Sequence, residues 1–421
     1  MIQYKSIRIK AFFLLHCLGI LSLYYTTELP AQELDLEQSI NTYRKGTISV
    51  KASPGAEVEI EQLSHEFWFG CALANGIFSG SASEEDIQQY RQKFLENFNS
   101  AVTENAVKWG NMERQKGQVN YSVVDAMLEW TDANEIPLRA HNLFWGIPNR
   151  VQPWLKEMTD EELEQTLKER AITITSRYKG RFAEYDLNNE MIHGNYYEDR
   201  LGPGITKKMT EWATTGDPDI ILYLNDYDIL TGNMLDKYLE HIRLLLSQDV
   251  PIAGIGVQGH LHSETFNRNE LKRALDSLAQ FDLPIRITEF NMPGQRSEFH
   301  RQRIRTMTPE QEELNVNEMV DYYKICFAHS AVEGILMWGF WEGANWIPVS
   351  SLYKRDWSPT PALTAYQNLI FKEWWTKEKG IADSNGDYSV KAFYGNYKVT
   401  VNGQTKNIEL KRTDREKSLE F

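Results

Sequence analysis

From residue 66 onward the chain repeats one pattern: a short apolar run, a polar tip, then a stretch with apolar residues on one helical face. Phe67-Trp68-Phe69-Gly70-Cys71-Ala72-Leu73 shows no polar alternation. That predicts a strand buried on both faces. Ser81-x-x-Glu84 reads as a capping pair for the next helix, where Ile87, Tyr90, Phe94 and Phe98 share a face. Comparable runs predict strands over 101–103, 137–143, 183–187, 220–224, 252–257, 285–288 and 334–338. Thr159-x-x-Glu162 caps a helix that turns Leu163 and Leu167 inward. Met234, Leu235, Tyr238, Leu239, Ile242 and Leu246 form the stripe of another, and Thr308-Pro309-x-Gln311 opens a third with proline at its first position. Eight βα units predict an α/β fold, a closed (β/α)8 TIM barrel over 66–375.

The two ends follow a different period. Residues 46–52 and 57–61 alternate with period two around Ser53-Pro54-Gly55-Ala56, which predicts an N-terminal β-hairpin extension at 45–65. Residues 388–393 and 397–401 alternate again, with Asn402-Gly403 as a hairpin turn. This predicts a C-terminal β extension at 383–421, expected to pair with the first into one accessory sheet. At the start, Lys5, Arg8 and Lys10 precede an apolar run from Ala11 to Tyr25, with Ala31-Gln32 as a cleavage point. That is the layout of a signal peptide at 1–31, too short for a membrane span. The mature chain is therefore expected to be exported, secreted or periplasmic, with no stable membrane span.

Composition narrows the partners. The 421 residues are 42% hydrophobic and 25% charged, an ordinary globular balance. A formal charge of −14 argues against nucleic acid, whose phosphates call for a basic face. Much of the aromatic content, 12 Trp and 20 Tyr, is expected in the core, but indoles near strand ends suit the apolar faces of sugar rings. Beyond the leader the cysteines are Cys71 and Cys326, which read as buried small hydrophobes or as a single disulfide in an oxidising compartment.

The chemistry sits at the strand tips. They carry Glu104, Asn105 and Lys108, then His141 and Trp145, then Asn189-Glu190, Gln258-Gly259-His260, Glu289 and Trp338, with Trp346 beyond. A lone strand-end glutamate is usually a solvated charge, and a lone tryptophan or histidine usually core. The joint pattern at one barrel mouth describes a sugar site. Glycoside hydrolysis needs one carboxylic acid to protonate the leaving oxygen and one carboxylate held ionised. Glu190 and Glu289 end the fourth and seventh strands and can face one bond. No zinc-ligand spacing and no Gly-x-Ser-x-Gly elbow occurs, so neither a metal nor another cofactor is expected.

With these motifs the chain resembles glycoside hydrolase family 10, the endo-1,4-β-xylanases. The resemblance rests on Thr103-Glu104-Asn105-Ala106-Val107-Lys108-Trp109, Arg139-Ala140-His141-Asn142-Leu143-Phe144-Trp145, Asp186-Leu187-Asn188-Asn189-Glu190, Gly254-Ile255-Gly256-Val257-Gln258-Gly259-His260, Ile287-Thr288-Glu289-Phe290 and Trp338-Gly339. It implies retaining hydrolysis of β-1,4-xylan, with Glu190 as acid/base and Glu289 as nucleophile. It implies sugar contacts at Glu104, Asn105, Lys108, His141, Trp145 and Asn189. Gln258 and His260 would stand beside the nucleophile, and Trp338 and Trp346 would form an indole platform. The partner would be a polysaccharide. A β-1,4-glycanase with another substrate, or a glycan-binding barrel without catalysis, are the alternatives. Departures include Asn291 in place of an aspartate and Gly146-Ile147-Pro148-Asn149-Arg150-Val151-Gln152 where a glutamine is expected soon after Trp145.

Overall fold

The computed structural model describes residues 31–421. The predicted leader lies outside that range apart from Ala31, which begins a helix, Ala31–Tyr43. Among the described residues no helix is long and apolar enough to cross a membrane. The barrel strands are β3 (Trp68–Ala72), β4 (Ser100–Val102), β5 (Leu138–Ala140), β6 (Phe144–Trp145), β7 (Glu184–Asn189), β8 (Leu222–Asp226), β9 (Gly254–Val257), β10 (Ile285–Phe290) and β11 (Val332–Met337). They follow β1 (Lys45–Lys51) and β2 (Glu57–His65). The order β5-β4-β3-β11-β10-β9-β8-β7-β6 is closed by a β5–β7 pairing. The predicted third strand bends after Ala140, and its continuation β6 also pairs with β7. The result is an eight-stranded parallel barrel with its strands buried on both faces, as the unalternating runs require.

Helices between the strands are set by local signals. Thr159 and Thr308 both form complete capping boxes. The expected Ser81 cap is displaced: Ser83 caps the helix Glu84–Asn97, accepting from Asp86 N at 3.1 Å. Ser83-x-x-Asp86 satisfies the same chemistry two residues later, while Ser81 N and Ser81 Oγ donate to Gly76 O. In the helix Leu235–Ser247, Leu245 takes the buried position expected for Leu246, which is exposed.

The barrel floor is charged. Alternate residues of β7 send Glu184 and Asp186 inward, where Arg139 donates to both. Arg286 closes the set, donating Nη2 to Glu184 Oε2 at 2.9 Å. Each of these groups is almost fully buried and paired, the condition under which buried charge is tolerated. Between Asp186 and Asn189 the register of β7 against β8 slips. A bulge of this kind re-aims a strand tip.

The terminal β segments correct two expectations. They complete β12 (Lys377–Ile381), β13 (Asp387–Phe393), β14 (Gly395–Val401), β15 (Gln404–Leu410) and β16 (Glu416–Glu420). The segment 45–65 is not a hairpin: β1 pairs with β13 and β16, whereas β2 pairs with β12 and β14. Instead of one accessory sheet there are two, packed around Ile48, Val50, Val58, Ile60, Tyr397 and Val399. Both N-terminal strands carry one apolar face, and the turn through Gly55 (φ 79°) lets those faces meet across a sandwich. The sandwich joins the N-terminal ends of the barrel strands, since only two residues separate β2 from β3. Arg412 pairs there with Glu333 at the start of β11. The opposite end of the barrel is left free.

Candidate active site

At the C-terminal mouth a cleft of about 670 Å³ is lined by Asn105, Lys108, His141, Trp145, Asn189, Glu190, Gln258, His260, Glu289, Trp338 and Trp346. Glu104 is the one predicted contact that does not line it. It stands behind Asn105, whose Nδ2 donates to Glu104 Oε1 at 2.8 Å, and burial pushes its carboxyl up to about 7.

Glu190 directly follows β7 in the left-handed region (φ 63°), with its N–H donated to Asn225 O at 2.9 Å. Non-glycine residues sit there at a cost, and such positions cluster at functional sites. Trp145 Nε1 donates to Oε2 and Gln258 Nε2 to Oε1, each at 2.9 Å. Burial raises the Glu190 pKa above the ordinary carboxylate range; the negative charge of Glu289 adds to this, and the two donors only partly oppose it.

Glu289 is buried, yet its environment acts in the other direction. Burial alone would raise its pKa. The nearby His141 imidazole, the hydrogen bond and charge of His260, and Lys108 outweigh that and hold it at about 2. His260 Nε2 donates to Oε2 at 2.8 Å and Asn225 Nδ2 to Oε1 at 2.9 Å. Asn225 Nδ2 also reaches Asn189 Oδ1 at 3.0 Å, which links the two strand tips, and Thr288 Oγ1 donates to Asn225 Oδ1 at 2.7 Å, fixing the amide's orientation.

The supporting groups are locked in turn. His141 donates Nδ1–H to Asp186 Oδ2 at 2.7 Å, so the charged floor of the barrel orients a residue of the mouth. Gly259, between Gln258 and His260, has φ +84°, and a Cβ there would lie 3.1 Å from Ile287 Cγ2. Glycine lets both neighbours point into one cleft. Asn291 Oδ1 faces His260 Nδ1 at 3.1 Å and accepts from Trp346 Nε1 at 3.0 Å; its Nδ2 donates to Ser350 Oγ at 2.9 Å. The indole and the hydroxyl together define which end of the amide meets His260, so Nδ1 is a donor. Trp338 is nearly buried under His141 and His260, whereas Trp346 is 40% exposed and edges onto His260.

Sequence reasoning missed Asn225, Tyr227, Arg150 and the place of Gln152. Tyr227 and Arg150 line the cleft, as does Gln152 from the divergent loop. Asn225-Asp226 at the fifth tip was the available signal for the first. Tyr227 is held by His193, stacked at 3.5 Å, whose Nδ1 donates to Asp226 Oδ1 at 2.7 Å. Among the described residues no three His, Cys, Asp or Glu side chains are grouped to hold a metal ion. Cys71 and Cys326 are both buried and unpaired with each other.

A parallel barrel whose mouth gathers two buried carboxyls with opposite pKa shifts has the parts that glycoside hydrolysis requires. The sequence matches the description "Glycosyl hydrolase family 10" over residues 60–369, and the chain belongs to that family. It is 33% identical over 351 residues to endo-1,4-beta-xylanase 1 of Arabidopsis thaliana, covering 82% of this chain and 34% of the relative. It is 31% identical over 372 residues to anti-sigma-I factor RsgI6 of Acetivibrio thermocellus, covering 86% and 46%. The chain thus spans less than half the length of these curated relatives. Native xylanase 10B from Thermotoga maritima superposes with a TM-score of 0.65 at 25% identity, over 73% of this chain and 96% of that one.

Proposed function

We propose that the chain is a retaining endo-1,4-β-xylanase. One observation carries the reading: Glu190 and Glu289 share a cleft that shifts their pKa values in opposite directions, Glu190 upward and Glu289 downward. In the first step Glu289 attacks the anomeric carbon while Glu190 gives its proton to the departing glycosidic oxygen. A glycosyl ester on Glu289 results. In the second step Glu190, now a carboxylate, takes a proton from water as that water attacks the same carbon and releases Glu289. Asn225 and His260 hold Glu289 in place, and Trp145 and Gln258 do the same for Glu190. The xylosidic substrate is supported by family membership and by the xylanase names of the Arabidopsis and Thermotoga relatives. Glu104, Asn105, Lys108, His141, Trp145 and Asn189 would contact the sugar chain, with Trp338 and Trp346 as stacking surfaces. We propose the exported side of the membrane as its place of action, on the leader-like pattern of residues 1–31.

A second reading is a glycan-binding barrel without turnover; one relative carries the name of an anti-sigma-I factor, not of a xylanase. Reducing-sugar release from xylan separates the two. Wild type should hydrolyse it, and Glu190→Ala and Glu289→Ala should each lose most activity. A wild type inert on every β-1,4-glycan would sink the enzymatic reading. Retained activity in either variant would sink that residue's role.

A further inference from the structure

We propose that Arg150 gives the cleft a preference for β-1,4-xylan carrying a carboxylate branch, a uronic acid attached to the sugar backbone. The inference rests on the xylanase reading and deepens it by naming the class of decoration.

Arg150 belongs to the loop that departs from the family pattern, and it is the cation that loop brings to the cleft wall. It does not hang on a loose tip. Ile147 O accepts from Arg150 N at 2.8 Å and from Val151 N at 3.2 Å, and Val151 is buried. The guanidinium lies over the Trp145 ring, 4.8 Å from its centroid. A cation at that distance is attracted by the indole face, which holds the guanidinium beside Trp145 while the N–H donors of its fork stay available to a ligand.

Among the described residues, nothing accepts from that fork: the guanidinium has no carboxylate at ion-pair distance and no hydrogen bond. The other cation on the same ring, Lys108, lies 4.9 Å from its centroid; it donates to Asn105 Oδ1 and sits in the field of Glu289, Glu104 and Glu190. The catalytic carboxylates therefore have their cation, and Arg150 is surplus to them. A second cation beside Lys108 is repulsive on its own account, which an arriving anion would relieve. A neutral sugar chain offers hydroxyls, which need no guanidinium. A carboxylate matches the fork with two parallel hydrogen bonds. The net charge of −14 gives a reason for placing such a group here, since without a local cation a uronate branch would be repelled. Because Trp145 donates to Glu190, the branch would be read beside the catalytic acid.

The test compares kcat/KM on linear xylooligosaccharides with kcat/KM on oligosaccharides of the same length bearing one glucuronic acid branch. Wild type should favour the acidic set. In Arg150→Gln the ratio of acidic to neutral should fall roughly 5- to 30-fold, the scale of one charge-assisted pair. Arg150→Lys should keep part of the ratio, because charge survives and the fork does not. Added salt should lower the ratio in wild type and leave that of Arg150→Gln nearly flat. An equal ratio in wild type and Arg150→Gln overturns the proposal, as does a wild-type preference for the neutral set. If wild type hydrolyses neither, the enzymatic reading fails separately. Calorimetric binding of the same two oligosaccharides to wild type and Arg150→Gln then decides the carboxylate preference without turnover.

Discussion

Gln258 donates its Nε2–H to Glu190 Oε1 at 2.9 Å. The bond favours the ionised form of a carboxyl that burial is driving toward the acid form. Gln258 therefore limits how far the Glu190 pKa rises. Replacing it by leucine removes that limit, so Gln258→Leu should move the alkaline limb of the kcat/KM profile to higher pH. The acid limb should stay in place. A limb that stays or moves down would show that Gln258 does not tune the acid. The same logic gives Trp145→Phe the same sign, through loss of the indole N–H.

The acid limb belongs to Glu289. Its pKa is held at about 2, against an ordinary value of 4.5, by neighbours that include His260. A depressed carboxylate pKa adds stability above the unfolded value, and that stability disappears as pH falls through the folded value. The window runs from 4.5 down to about 2. His260→Gln should raise the acid limb of kcat/KM and narrow the difference in urea midpoint between pH 6 and pH 3. If both stay at wild-type values, the histidine is not what keeps Glu289 ionised.

Much of this site is readable in the sequence for a simple reason. A parallel strand buried on both faces leaves an apolar run, and the first polar residues after it are placed at the mouth. Glu190, His260 and Glu289 are recognisable on that ground. Asn225 obeys the same rule at the fifth tip, but an asparagine followed by aspartate also reads as a turn. What makes it a site residue is Glu289, and that contact is made between strands distant in the chain. The sandwich shows the other limit. Alternation in β1 and β2 tells which face is buried and not which strand lies alongside, so the hairpin between them was the wrong pairing. The cap at Ser83 differs from Ser81 for a related reason, since both match one short pattern and only the helix start chooses.

Asn291 holds two side chains through one oxygen, His260 at 3.1 Å and Trp346 at 3.0 Å. Asn291→Leu leaves both N–H groups without their acceptor and frees the His260 ring to turn. Its kcat/KM on xylan should fall about tenfold, the scale of a buried donor left without its acceptor. Asn291→Asp keeps an acceptor and should retain much of the rate. Its added negative charge near Glu289 should also raise the acid limb slightly, because like charges disfavour ionisation. Equal losses in the two variants would show that the position matters for packing alone.

Arg44 carries the attachment of the N-terminal elements to the barrel. It is buried, and its Nε donates to Phe327 O at 2.6 Å while Nη2 donates to His329 O at 2.5 Å and Val332 O at 2.7 Å. These carbonyls close the end of the helix Pro309–Ala328 and the start of β11, and the guanidinium also lies over Phe67 and Phe327. A cation at a helix C-terminus is favoured by the helix dipole as well. Arg44→Met fills some of the volume but returns no donor, so buried carbonyls lose their partners. Leaving a buried acceptor without its donor costs on the order of 1–3 kcal/mol. Thermal unfolding of Arg44→Met should begin several degrees below wild type. The active cleft lies at the far end of the strands, so kcat on xylan at low temperature should change little. An unchanged unfolding temperature would mean that the sandwich and the barrel hold together without this arginine, through Arg412–Glu333 and the short link from β2 to β3.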